Sequence, residues 1–65
     1  MIYPGETVRL AREVSEAGLA TGAHCEFVRI VSNGNEEGDA ASAEVKWYSG
    51  GGAHSAIVPL DNVEP

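Results

Sequence analysis

His24, Cys25 and His54 supply the only imidazole and thiol groups in this chain. Metal binding and nucleophilic catalysis are the two chemistries open to them. A structural zinc site wants four ligands, usually as paired short spacings. His24 and Cys25 are adjacent, and adjacent residues of an extended segment project to opposite faces. No metal site and no cofactor are therefore expected. Cys25 as a nucleophile would need a neighbouring base and a depressed pKa. His24 points the other way, and His54 would have to reach it across the molecule. The expectation is a buried or half-buried Cys25, two surface histidines and no catalytic residue. The chain reads as a binding protein, not an enzyme.

The carboxylates Glu36, Glu37 and Asp39 invite an acid/base reading. Such a pair needs burial or a rigid pocket to separate its pKa values. These three sit in "SNGNEEGDAA", where Asn33-Gly34 is a hairpin turn signal. A solvated acidic loop that steers a basic partner is the better expectation. Gly50, Gly51 and Gly52 look like a phosphate cradle only in composition. Phosphate loops precede a helix N-terminus with Lys or Ser nearby, whereas this run joins two strands. Trp47 and Tyr48 are consecutive in a strand, so one of them faces away from the core. With Trp47 inward, Tyr48 is exposed beside Tyr3, and the two tyrosines form a small recognition patch. Aromatic patches of this kind receive proline-rich peptides in many small barrels. The candidate binding residues are thus Tyr3, Tyr48, Glu36, Glu37 and Asp39.

Those residues need elements to hold them. Pro4-Gly5 is a turn signal, and Glu6 to Ala11 reads as a first strand with Val8 and Leu10 on one face and Thr7 and Arg9 on the other. Arg12 to Gly22 is too short and too glycine-interrupted for a stable helix. It reads as a long loop that pins Val14 and Leu19 inward. Ala23 to Val31 is a second strand. Strict alternation there mixes apolar and charged residues on both faces, so a bend or bulge is expected. Ser42 to Tyr48 is the clearest strand, with Ala43, Val45 and Trp47 inward and Glu44 and Lys46 outward. "SGGGA" is a tight connection. His54 to Val58 is a fourth strand with Ile57 or Val58 inward, ended by Pro59. "PLDN" reads as one helical turn and "VEP" as a short last strand, with Leu60 and Val63 as inward plugs. There is no internal repeat, and residues 1–65 read as one domain.

The bulk numbers agree. The chain has 65 residues, 43% hydrophobic and 22% charged, which fits a folded domain and not a disordered one. A chain of this size buries only about 60% of its unfolded surface, so the core is small. The formal net charge is -6, from ten acidic and four basic side chains. That balance argues against nucleic acid, whose phosphates need clustered Lys and Arg, and against an anionic membrane surface. No apolar run approaches a membrane span. The absence of a basic region followed by a hydrophobic stretch, together with a single cysteine, sets a cytoplasmic expectation.

Short strands, turn-rich links and a helical turn before the last strand make the fold class all-β, a small five-stranded SH3-like barrel. "PGETVRLAR", with Gly5, Val8 and Arg9, resembles the first strand of photosystem I reaction-centre subunit IV and of subunit S of the photosynthetic NAD(P)H dehydrogenase-like complex. "PLDNVEP" is similar to their ends. Gly18, Leu19, Gly22, Glu44, Val45 and Trp47 also resemble a family of small bacterial SH3-like proteins of unknown function, over more of the chain. The resemblance implies a protein-binding or scaffold module within a larger complex. Its alternative is an accessory subunit of an electron-transfer complex, in which Arg9 and Arg12 would anchor a larger subunit. Oligomeric state is left open.

Overall fold

The computed structural model describes residues 2–32, 34 and 41–65. Glu36, Glu37 and Asp39, and the Asn33 turn, lie outside the described residues. Five strands run in the order expected: β1 (Thr7–Leu10), β2 (His24–Ser32), β3 (Ser42–Ser49), β4 (Gly52–Pro59) and β5 (Val63–Glu64). They form one sheet, β4-β3-β2-β1-β5, with every neighbouring pair antiparallel. The fold is all-β, a meander whose first strand also takes the last one along its free side. Among the described residues the two edges, β4 and β5, are not hydrogen bonded to each other, so the sheet is curled and not a sealed cylinder.

Alternation decides what enters the core. Val8 and Leu10 are buried while Thr7 and Arg9 are exposed. Ala43 and Val45 are fully buried and alternate with the half-buried Glu44 and Lys46. Of the two residues left open in β4, Val58 is buried and Ile57 is exposed. Phe27, Cys25, Leu19 and Val63 complete the cluster, with Ile2, Val14, Trp47 and Leu60 packed partly against it.

The expected irregularity in β2 is real. Phe27 pairs with Val45, but Arg29 pairs with Glu44, so the register shifts by one between them, and again between Ile30 and Ser32. Two residues apart on a regular strand, Phe27 and Arg29 would share a face. The bulge turns Phe27 into the core and Arg29 outward, onto Glu44 at 2.8 Å. The outer face thereby becomes a set of exposed cross-strand ion pairs: Arg29–Glu44, Lys46–Glu26 at 3.5 Å and Arg9–Glu64 at 2.7 Å.

The connections follow their residue types. Gly50 and Gly51, at φ +59° and +79°, form a two-residue turn that pairs Ser49 with Gly52. A turn with both central residues left-handed matches strand twist and selects glycine. The long first loop closes on itself by a Val14–Leu19 bridge around a 3-10 turn, Ser15–Ala17. A second 3-10 turn, Leu60–Asn62, leads into β5. It is tied down by Asn62, which is buried. Its Oδ1 accepts from the Arg12 backbone N–H at 2.6 Å, and its Nδ2 donates to the Arg12 carbonyl at 3.1 Å. No helix among the described residues is long and apolar enough to cross a membrane.

Candidate functional site: an aromatic cleft beside the long loop

The two-residue turn fixes the pairing of β3 with β4 rung by rung. Counting back from Ser49 and forward from Gly52 sets Trp47 opposite His54. Their rings stack with centroids 5.7 Å apart and planes 23° apart. The His54 Nε2 also lies 3.2 Å from the Ser49 carbonyl oxygen, which holds the imidazole against the turn. Trp47 is half-buried and His54 exposed, so solvent reaches the stacked pair.

The long loop supplies the facing wall. Val14 anchors it through the bridge to Leu19, and the 3-10 turn that follows carries Glu16 and Ala17. Val14, Glu16, Ala17, Trp47, His54 and Ile57 together line an open cleft of about 380 Å³. One carboxylate at the rim of an aromatic floor is a combination suited to a cation, which gains from both the ring face and the negative charge. Glu16 forms no ion pair among the described residues.

A second, more apolar depression is built from a different set of residues. Ile2, Phe27, Ile30, Leu60, Val63 and Pro65 line about 540 Å³. Phe27 and Val63 are core residues at its floor; Ile30 is the exposed apolar group at its rim. It offers burial but no charged group.

The residues picked out in the sequence fall as follows. Tyr3 and Tyr48 are both exposed, at 59% and 69%. Tyr48 lines a shallow depression with Thr7, His24, Glu26 and Lys46. Tyr3 belongs to the turn before β1, where its carbonyl accepts from Glu6 N–H, while Gly5 N–H bonds the Phe27 carbonyl. The turn that carries Tyr3 is thus held at Phe27, while Tyr48 lies beside His24 and Glu26. Glu26, and after it Tyr48, hold the Lys46 ammonium above its ordinary pKa. Arg9 and Arg12 are exposed, but each is engaged by the chain's own C-terminal segment: Arg9 by Glu64, and Arg12 by Asp61 at 2.9 Å.

Cys25 is buried, and desolvation raises its thiol pKa, which opposes thiolate formation. His24 is exposed on the other face of β2, and Trp47 stands against His54. Among the described residues no group of three His, Cys, Asp or Glu side chains gathers as metal ligands do. The sequence reading missed the pairing of Trp47 with His54 as a site. Its signal was available: a two-residue glycine turn dictates that register. The approach of Glu16 had no such signal.

Comparisons with protein-family models, with curated proteins and with solved structures find no match to this chain.

Proposed function

We propose that this chain is a non-catalytic protein-binding module that works within a larger complex and takes a basic segment of its partner. The observation that supports this reading is the cleft in which Glu16 shares a wall-and-floor arrangement with the stacked rings of Trp47 and His54. An arginine or lysine side chain laid on Trp47 would gain a cation–π contact, and its charge would meet Glu16. The net charge of -6 adds long-range attraction for the same partner and speeds encounter at low salt. The acidic residues Glu36, Glu37 and Asp39 belong to that steering field. The alternative, an accessory subunit of an electron-transfer complex, would dock through Arg9 and Arg12. Both guanidinium groups already have partners within the chain, so this reading stands second.

Titration of short dye-labelled arginine-containing peptides with the protein, followed by fluorescence anisotropy of the peptide at low and high salt, tests the proposal. The expected result is saturable, salt-sensitive binding to basic peptides, lost in Glu16→Gln and Trp47→Leu and absent with acidic peptides. Equal response to basic and acidic peptides, or retention of binding in both variants, would overturn it.

A further inference from the structure

Histidine is the side chain whose charge changes between about pH 5 and 8. In the cleft, the His54 Nε2 lies 3.2 Å from the Ser49 carbonyl oxygen. A carbonyl oxygen only accepts, so this contact assigns the hydrogen of the neutral ring to Nε2 and leaves Nδ1 to take up a second proton. The bond to Ser49 is made in both states. The ring therefore keeps its stack on Trp47, with centroids 5.7 Å apart, and protonation changes its charge alone. The groups around it are few. Its partner across the β3–β4 rung is Trp47. Lys46 and Tyr48, on either side of Trp47 in sequence, project from the other face of β3, where Lys46 meets Glu26 at 3.5 Å. On β4 its neighbours are the uncharged Ala53 and Ser55. Among the described residues, Glu16 is the titratable group that the long loop brings to the same cleft.

We infer that His54 is a proton-operated gate on this cleft. When neutral, it leaves the Trp47 ring and the Glu16 carboxylate to the arginine or lysine of a partner. When protonated, it is itself the cation that both attract, and it turns the partner's cation away. The inference rests on the reading of this cleft as the site for a basic segment. Three effects act in the same direction. An imidazolium stacked on the indole makes the cation–π contact that the partner's side chain would make. Its charge offsets the field of Glu16, which forms no ion pair among the described residues. Two cations in one cleft also repel each other. His24 has none of these roles, because it is exposed beside Tyr48 in a separate depression. Protonating either histidine changes the net charge of -6 equally, so long-range steering does not distinguish them. Position in the cleft does.

The test uses the whole chain and a dye-labelled arginine-containing peptide free of His, Asp and Glu. Peptide anisotropy is read at constant salt from about pH 8 to about pH 5.5, a window that charges histidines while carboxylates stay ionised. The wild-type affinity is expected to weaken about tenfold across it. His24→Gln keeps that change, and His54→Gln loses it, whatever affinity it retains. A second measurement needs no variant affinity. The imidazole proton resonances of His54, assigned by their loss in His54→Gln, are followed against pH by nuclear magnetic resonance with and without saturating peptide. Their midpoint is expected to fall when the peptide is bound, because a proton that weakens the peptide is weakened by it to the same degree. Peptide binding that is flat across the window overturns the gate and leaves the basic-segment reading standing. So does a pH dependence that survives in His54→Gln, or a His54 midpoint that the peptide does not move. Absence of binding at every pH overturns that reading and the gate with it.

Discussion

Asn62→Ala removes the side chain that joins the second 3-10 turn to the end of β1. Two hydrogen bonds are lost, the Arg12 N–H donation at 2.6 Å and the donation to the Arg12 carbonyl at 3.1 Å. Each net bond is worth about 0.5–1.5 kcal/mol, so the pair is worth about 1–3 kcal/mol. Arg12 lies at the surface, so water can reach its backbone groups after the change, and the larger cost of stranded buried groups does not apply in full. A domain of this length has a total stability of about 3–10 kcal/mol. At about 4–8 °C per kcal/mol, the midpoint should fall by about 5–20 °C. The Arg12–Asp61 ion pair spans the same joint at 2.9 Å, but its side chains are 60% and 76% exposed. Such a pair is worth about 0–1 kcal/mol. Arg12→Ala should therefore cost clearly less than Asn62→Ala, and the thermal midpoints of the two variants, measured by circular dichroism in one buffer, decide the matter. Equal losses, or a shift in Asn62→Ala of less than about 2 °C, would refute the claim that the amide and not the ion pair fastens the C-terminal strand.

Four other outcomes follow from the same geometry. A Cβ at Gly51 would meet nothing within 4 Å, yet the residue sits at φ +79°, so Gly51→Val should destabilise by about 1–2 kcal/mol through backbone strain alone, and Gly51→Asn by visibly less in the same urea melt. Phe27→Ala empties a fully buried site and should cost about 3–5 kcal/mol, enough to leave much of the chain unfolded at 37 °C by circular dichroism; a melt shifted only slightly would contradict its place at the centre of the core. Cys25 should react with a thiol reagent far faster in denaturant than in buffer, because burial both shields the sulfur and raises its pKa. The same shift fixes a pH dependence. The unfolded chain releases the thiol proton first, so the stability linked to it is complete below the ordinary value of 9.0 and is lost as pH climbs toward the raised folded value. Lys46, also raised, loses its contribution in the same direction above its ordinary 10.5. Urea midpoints should hold steady below pH 9.0 and decline above it, less steeply in Cys25→Ala; a rise with alkaline pH would be incompatible with this sign.

The succession of strands along the chain, the Gly50-Gly51 turn and the inward faces of β1 and β3 were set by local rules. Alternation around Val8, Leu10, Ala43 and Val45 names the buried face because a strand has a period of two. Gly50-Gly51 dictates both the turn and the Trp47–His54 rung, because only left-handed residues close a two-residue hairpin in that way. Even the β2 bulge was foreshadowed, since Phe27 and Arg29 cannot share one face. The tertiary structure alone decided the rest. Asn62 reads as a turn residue until β1 is laid beside it and its amide finds Arg12. Glu16 reaches the aromatic cleft only because the long loop folds back through Val14 and Leu19, a contact between distant segments that no local periodicity encodes.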